Sequence, residues 1–183
     1  MIREQTKVVL VEPMGPINLG SVARLCSNFG INELRLVSPR CSTNDPEARK
    51  MALKGIKILE QAKKYNCLLD AIEDCSRILA TCGRKDHGDI PICKTEKALQ
   101  WFISNPNNVT TAIVFGREDC GLTNQELLLA NKVISLQAST EYPSLNLSHA
   151  VAIVLHELNR LNYNDIDTIK TNSNKPAFPK QLD

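Results

Sequence analysis

Short apolar runs alternate with amphipathic stretches along most of the chain. Apolar, β-branched runs predict buried strands, and apolar residues spaced three and four apart predict helices. Strands are predicted at 7–12, 33–37, 77–82, 109–115 and 132–137. Helices are predicted from about Leu19 to Gly30, from Pro46 to Gly55, and over 68–75, 95–104, 123–130 and 147–161. This alternation predicts an α/β domain with a mostly parallel sheet flanked by helices.

The length of 183 residues suits one domain, which we assign to residues 1–163. The segment 164–183 is polar, contains two prolines, and is predicted to be extended or disordered. The first residues are polar and charged, which argues against a signal peptide. The longest apolar run is too short to span a bilayer, so no membrane association is expected.

Cysteine usage bears on the compartment and on metal binding. The seven cysteines are an odd number, and no pair has the Cys-x-x-Cys spacing. This pattern argues against a disulfide framework or a zinc site and favours a reducing, cytoplasmic location. The three histidines form no recognisable metal set with the cysteines, so no metal is expected.

The net charge of +2 is weak evidence for an anionic partner, but the basic residues are unevenly distributed. One cluster contains Arg49, Lys50, Lys54, Lys57, Lys63 and Lys64. Two interpretations stay open for this cluster: a solvated helical face, or a surface that contacts RNA. Aromatic residues are 4% of the chain, which argues against a base-stacking platform of the kind that single-strand binders use.

Polar or glycine-containing loops follow four predicted strands, at 13–24, 82–88, 116–122 and 138–148. Ligands of parallel sheets bind at the carboxyl ends of the strands, so these loops are site candidates. The first loop contains Asn18-x-Gly20-Ser21-x-x-Arg24. Gly20 is predicted to let the backbone turn tightly or approach a ligand, and the Arg24 guanidinium suits a phosphate or a developing oxyanion. The alternative is an ordinary turn followed by a surface arginine.

Two more motifs follow in the candidate loops. The second begins at Phe115 and reads Phe-Gly-Arg-Glu-x-x-Gly-Leu-Thr-Asn-x-Glu-Leu. The third, Tyr-Pro-Ser-Leu-Asn-Leu-Ser, precedes the last helix, where Asn146 or Ser148 suits a helix cap. In this order the three motifs strongly resemble those of the SpoU branch of the SPOUT RNA methyltransferases, from about Lys7 to Tyr163. Within that branch the sequence looks most like the bacterial tRNA cytidine/uridine 2′-O-ribose methyltransferases that act on the anticodon loop.

The resemblance implies an α/β fold with a C-terminal deep trefoil knot. It also implies a homodimer with its active site near the subunit interface, and S-adenosylmethionine (SAM) as the cofactor. The implied cofactor-binding positions are Thr81, Cys82, Gly83, Gly116, Leu136, Pro143, Ser144 and Leu145. The implied catalytic and structural polar positions are Asn18, Arg24, Glu118, Ser144 and Asn146. Leu136 and Leu145 are expected to pack against the adenine.

The chemistry that the resemblance implies is attack of a ribose 2′-hydroxyl on the methyl carbon of the sulfonium, without a metal. Arg24 is either the general base or the group that stabilises the alkoxide or the adjacent phosphate; the second role agrees better with a guanidinium that stays protonated. Asn18 and Asn146 are expected to orient these groups, and Glu118 is expected to hold the second loop.

The function implied is 2′-O-methylation of a pyrimidine in the tRNA anticodon loop. The alternatives are methylation of ribosomal RNA, or RNA binding by the same fold without catalysis. A small-molecule enzyme or nucleotide-binding module is disfavoured, because the chain lacks both Gly-x-Gly-x-x-Gly and the lysine of a phosphate-binding loop. Close relatives carry an extra C-terminal helical domain, so either the tail from Asn164 takes over its work or RNA recognition differs.

Overall fold

A computed structural model describes residues 5–84, 87–104, 109–136, 141 and 144–162. The strands are β1 (Thr6–Val11), β2 (Glu33–Val37), β3 (Lys63–Tyr65), β4 (Arg77–Thr81), β5 (Ile92–Cys93), β6 (Thr111–Phe115) and β7 (Lys132–Ile134). The helices are α1 (Pro16–Phe29), α2 (Pro46–Ala52), α3 (Ile56–Glu60), α4 (Leu68–Ile72), α5 (Thr95–Ile103), α6 (Asn124–Leu128) and α7 (Leu147–Asn162). A 3₁₀ turn, Leu53–Gly55, joins α2 to α3.

The seven strands form one sheet in the order β3-β2-β1-β6-β4-β7-β5, and every neighbouring pair is parallel. This confirms the predicted α/β class and the parallel sheet. Strands β2 and β3 extend the sheet on one side of β1, and the later strands β6, β4, β7 and β5 lie on its other side. The point where this order reverses lies between β1 and β6, and parallel α/β sheets bind ligands at the carboxyl end of such a point.

Helices cover both faces of the sheet, so the central strands are buried on both sides. All five residues of β6 are buried, as the apolar run in the sequence predicts. One face carries α1, α2, α3, α5 and α7, and the other carries α4 and α6. The predicted apolar stripe of the last helix packs on the core through Leu147, Val151, Val154, Leu155 and Leu158. Burying each such side chain contributes about 1.5–3 kcal/mol.

Several element boundaries differ from the predicted ones. Helix α1 begins at Pro16 instead of Leu19, because proline needs no hydrogen-bond partner in the first turn. Gly30 ends α1 as predicted, with φ of 71°. The second predicted helix does not stop at Gly55 but continues as α3. The sequence did not predict the edge strands β3 and β5, because they are only three and two residues long and lack a clear apolar pattern.

Gly20 has a different role from the predicted one. It lies inside α1 and is buried, so it neither forms a turn nor faces a ligand. A methyl group added at Gly20 would lie 2.1 Å from the carbonyl oxygen of Ala48 in α2. The glycine therefore permits backbone contact between two helices, and the prediction that it brings a ligand close to the chain was wrong.

Two predictions fall outside the residues that the structure describes. These are the polar tail over 164–183 and the position of Pro143. The expected trefoil knot depends partly on these segments and stays a prediction. Within the described ranges, no helix is long and apolar enough to cross a membrane.

Candidate active site

A cavity of about 420 Å³ opens at the carboxyl edge of the sheet. It is lined by residues 81–84 at the end of β4, residues 115–123 at the end of β6, Leu136 after β7, and residues around the start of α7. Seven of the eight predicted cofactor-binding residues line this one cavity: Thr81, Cys82, Gly83, Gly116, Leu136, Ser144 and Leu145. Residues from distant parts of the sequence therefore converge, as parallel strands require.

The loop after β6 is a tight hairpin that shapes one wall of the cavity. The Arg117 amide donates to the Gly121 carbonyl at 3.3 Å, and the Gly121 amide donates back to the Arg117 carbonyl at 3.1 Å. Gly121 has φ of 70°, which favours glycine. A methyl group added at Gly116 would lie 2.3 Å from the carbonyl carbon of Gly121. Both glycines of the motif are therefore needed for the hairpin to close.

Glu118 reaches from this hairpin to the first loop. Its carboxylate accepts hydrogen bonds from the Met14 and Gly15 amides, each at 3.0 Å, and from Asn18 Nδ2 at 3.3 Å. The sequence predicted that Glu118 holds the second loop; its partners lie on the loop after β1 and in the first turn of α1. The reason is strand order: β1 and β6 are neighbours, so the loops that follow them lie side by side.

Asn18 connects Glu118 to the start of α7. Its Oδ1 accepts a hydrogen bond from Asn146 Nδ2 at 2.9 Å. Asn146 Oδ1 in turn accepts from the Ser148 amide at 2.9 Å and the His149 amide at 3.3 Å, so the predicted helix cap is confirmed. Glu118, Asn18 and Asn146 form a chain of hydrogen bonds, here called the polar relay, that joins all three sequence motifs.

The other two predicted polar residues lie outside this relay. Arg24 is exposed on α1, and within the described residues it forms no hydrogen bond or ion pair. Ser144 is exposed and lines the cavity. The single chain thus assembles the relay but leaves the Arg24 guanidinium open to solvent, where a phosphate or another chain can reach it.

A second network fixes the loops from behind, and the sequence did not reveal it. Arg117 Nε donates to Glu12 Oε1 at 2.9 Å, and the same guanidinium bonds both oxygens of Glu126 at 2.9 and 3.0 Å. Hydrogen bonds from Arg117 and then Arg40 lower the pKa of Glu12. Burial opposes ionisation of Glu126, but hydrogen bonds from Arg117 lower its pKa overall. Both carboxylates therefore remain charged and hold the hairpin in place.

Arg84 is a further cavity residue that the sequence did not single out. It lines the cavity beside Gly83 and donates to Asn124 Oδ1 at 2.7 Å. Among the described residues, no three histidine, cysteine or acidic side chains are grouped so as to hold a metal ion. All seven cysteines are free thiols, including the buried Cys82 in the cavity wall.

The cavity suits a ligand with a flat apolar part and a polar part. Its volume lies in the range of small-molecule sites. Leu122, Leu136, Leu145 and Leu147 supply apolar wall. A methyl group added at Gly83 would meet nothing within 4 Å, so open space lies directly above the backbone there. These features fit the adenosine part of SAM.

A family model and the curated relatives both relate this chain to RNA methyltransferases. The model of the SpoU rRNA Methylase family matches residues 5–156. The tRNA (cytidine-2′-O-)-methyltransferase TrmJ of Methanocaldococcus jannaschii is 41% identical over 156 residues, 82% of this chain and 66% of that protein. The enzyme of the same name from Sulfolobus acidocaldarius is 40% identical, over 90% of this chain and 69% of that protein. The chain thus spans about two thirds of the length of these relatives.

A solved structure shows the same fold. A probable methylase family protein from Haemophilus influenzae superposes with a TM-score of 0.81 and 30% identity, over 100% of this chain and 75% of that protein.

Proposed function

The chain belongs to the SpoU rRNA methylase family, and we propose that it transfers the methyl group of SAM to a ribose 2′-hydroxyl of tRNA. The observation that carries this proposal is the polar relay beside an apolar cavity, because it brings Glu118, Asn18 and Asn146 together from three separate motifs. A protein that only bound RNA would need no such relay next to a pocket for a small molecule.

The cavity residues would hold the cofactor mainly by packing and by backbone groups. Leu136 and Leu145 would contact the adenine, and the backbone at 81–83 and at Gly116 would bond its polar edges and the ribose. When bound, SAM supplies an electrophilic methyl group on a positively charged sulfur. We also propose that the C-terminal part of the chain forms the trefoil knot of the SPOUT fold.

The relay residues position groups and do not remove the proton themselves. The Glu118 carboxylate is occupied by three donors, so it is poorly placed to accept a proton from the substrate. Asn18 is fixed at both ends of its amide. A guanidinium group stays protonated in proteins, so the Arg24 side chain suits stabilisation of the 2′-oxyanion or of the neighbouring phosphate. We therefore assign the stabilising role, not the general-base role, to Arg24.

We propose that two copies of the chain form the active enzyme, in the cytoplasm. Ile17 on α1 is 49% exposed and Ile153 on α7 is 41% exposed, and both helices pack on the same face of the sheet. Apolar side chains exposed on neighbouring helices suit an interface between subunits. We propose that such an interface brings Arg24 of one copy near the cavity of the other; among the described residues of its own chain, Arg24 has no hydrogen-bond or ion-pair partner.

The test is methyl transfer from labelled SAM to an unmodified tRNA transcript and, separately, to unmodified ribosomal RNA, with the product nucleoside identified by mass spectrometry. A 2′-O-methylated pyrimidine in the anticodon loop is the expected product. Label in ribosomal RNA alone would support the proposed reaction but show that the substrate is ribosomal RNA. Absence of transfer to both RNAs by a SAM-binding protein would overturn the proposed activity.

Arg24→Ala is expected to lower the transfer rate at least ~100-fold, because stabilisation of a developing oxyanion by one group contributes about that much. SAM affinity, measured by calorimetry, should stay within about threefold, since Arg24 does not line the cavity. Arg160→Ala, which removes an exposed arginine that pairs with Glu157 in the last turn of α7, is the control. A loss of SAM binding that parallels the loss of transfer would show that the role of Arg24 is misassigned.

A further inference from the structure

Helix α1, which carries Arg24, is packed directly against a basic segment. Residues 46–64 comprise α2, the 3₁₀ turn, α3 and the first two residues of the edge strand β3. A methyl group added at Gly55 would lie 2.4 Å from the Ala23 carbonyl oxygen and 2.7 Å from the Arg24 amide nitrogen. With the equally close contact of Gly20 and Ala48, this fixes the segment beside Arg24 through the backbone.

The outward side of this segment carries an excess of positive charge. Six of its residues are basic and two are acidic, a net charge of +4 in a chain whose total is +2. The rest of the chain is therefore slightly acidic, and the basic character belongs to this one segment. All six basic side chains are exposed: Arg49, Lys50, Lys54, Lys57, Lys63 and Lys64.

The ion pairs of the segment show which cations are available. Arg49 pairs with Glu60 at 2.8 Å, and Lys63 pairs with Glu33 at 3.0 Å. The other four, Lys50, Lys54, Lys57 and Lys64, have no carboxylate partner within the described part of the chain. A purely solvated helical face commonly intersperses charges of both signs, whereas unpaired cations of one sign suit a polyanion.

We propose that this surface, Lys50, Lys54, Lys57 and Lys64, binds the phosphates of the substrate RNA next to the nucleotide that Arg24 contacts. The inference rests on the proposed function, and it decides between the two interpretations that the sequence left open for the basic cluster. Lys54 directly precedes Gly55, which touches the Arg24 backbone, so the surface begins beside the catalytic arginine. Its lysines supply affinity and position the strand; phosphate contacts carry no base sequence information.

The experiment compares two double variants with the same charge change and the same spacing of three residues. Lys54→Ala with Lys57→Ala alters the proposed surface. Lys94→Ala with Lys97→Ala removes two exposed lysines that follow β5, at the opposite edge of the sheet. Binding of a fluorescently labelled, unmodified tRNA transcript is measured by anisotropy from 50 to 300 mM KCl, with methyl transfer and calorimetric SAM binding measured for each protein.

Each lost phosphate contact lowers the slope of log K against log[salt] by about 0.7 for single-stranded RNA. The 54/57 variant should therefore lose about 1.4 from the slope and bind roughly 25-fold more weakly at 0.1 M salt. Its KM for tRNA should rise in proportion, while kcat and SAM affinity stay unchanged. The 94/97 variant should match the unaltered protein in slope and KM.

An equal loss of tRNA affinity in both variants would mean that only net charge matters. Unchanged tRNA affinity in the 54/57 variant would mean that the RNA binds elsewhere. Either result overturns the proposed surface but not the proposed activity. If the unaltered protein neither binds the transcript nor methylates any RNA, the proposed function fails together with the surface. The two failures are thus distinguishable.

Discussion

Replacing Glu118 by glutamine keeps the shape of the side chain and removes the charge that three donors share. The affected donors are the Met14 and Gly15 amides and Asn18 Nδ2. A hydrogen bond to a charged group contributes about 1.5–3 kcal/mol, and a neutral one about 0.5–1.5 kcal/mol. Losing about 1 kcal/mol at each of three bonds gives about 3 kcal/mol in total. The loop after β1 and the first turn of α1, which carries Asn18 and leads to Arg24, would then be held much less firmly.

The expected consequence is a roughly 100-fold fall in the single-turnover rate of methyl transfer to an unmodified tRNA transcript, since about 1.4 kcal/mol corresponds to tenfold. Glu73→Gln is the matched control, because Glu73 is an exposed glutamate far from the relay at the end of α4. That variant should transfer methyl groups at the normal rate. A normal rate for Glu118→Gln as well would refute the claim that its charge holds the first loop.

A double-mutant cycle tests the relay itself. Asn18→Ala removes the partner that Glu118 and Asn146 share. Each variant's loss of transition-state stabilisation is calculated from its single-turnover rate. If the three side chains act as a unit, the loss in the combined Asn18→Ala and Glu118→Gln variant is at least ~1 kcal/mol smaller than the sum of the two single losses. Additivity within about 0.5 kcal/mol would show that the two residues act independently.

Two predictions concern stability. Leu53 is 56% exposed with φ of 45° and ψ of −117°, a conformation that favours glycine, whereas Leu69 is 59% exposed within α4. In guanidinium unfolding, Leu53→Gly should therefore lower the free energy of unfolding by about 2 kcal/mol less than Leu69→Gly does. Equal losses of unfolding free energy would show that the backbone at position 53 is unstrained. Although burial opposes its ionisation, hydrogen bonds from Lys7, Arg35 and Lys63 lower the pKa of Glu33 from 4.5 to about 2. The ion pairs of Glu33 thus stabilise the fold above pH 4.5 and lose that effect as the pH falls towards 2. Glu33→Gln should therefore lower the free energy of unfolding by about 2 kcal/mol at pH 7 and change it little at pH 2. An equal loss of unfolding free energy at both pH values would argue against this account.

The parts of the fold that the sequence predicts are those with long, regular patterns. Strand β6 is a continuous apolar run, and α7 carries an apolar stripe over four turns, so their type and burial could be read directly. The helix predicted over 123–130 starts where expected, because Thr123 and Glu126 form a capping box at the beginning of α6. The short edge strands gave no such pattern, because pairing with a neighbouring strand, not local sequence, makes them strands.

Site residues could be predicted from the sequence only where they belong to one of the three motifs. The order of strands cannot be read from a single sequence, so nothing indicated that Glu12 and Arg117 are neighbours. In the structure they are adjacent because each comes two residues after a paired position, Leu10 in β1 and Phe115 in β6. The same limitation explains the error about Gly20, since its role depends on where α2 packs. The position of a loop at the carboxyl edge could be predicted, whereas the partner of a given side chain across two elements could not.

The relay also has a consequence for how the protein is made. Asn18 and Asn146 are separated by 128 residues, and Asn18 and Glu118 by 100. At about 5–20 residues per second, a ribosome needs roughly 6 to 25 s to extend the chain from the first asparagine to the second. During that time the amino-terminal loop exists without the groups that orient it. In a nascent chain the relay therefore cannot form until the last of the three motifs has been synthesised and folded.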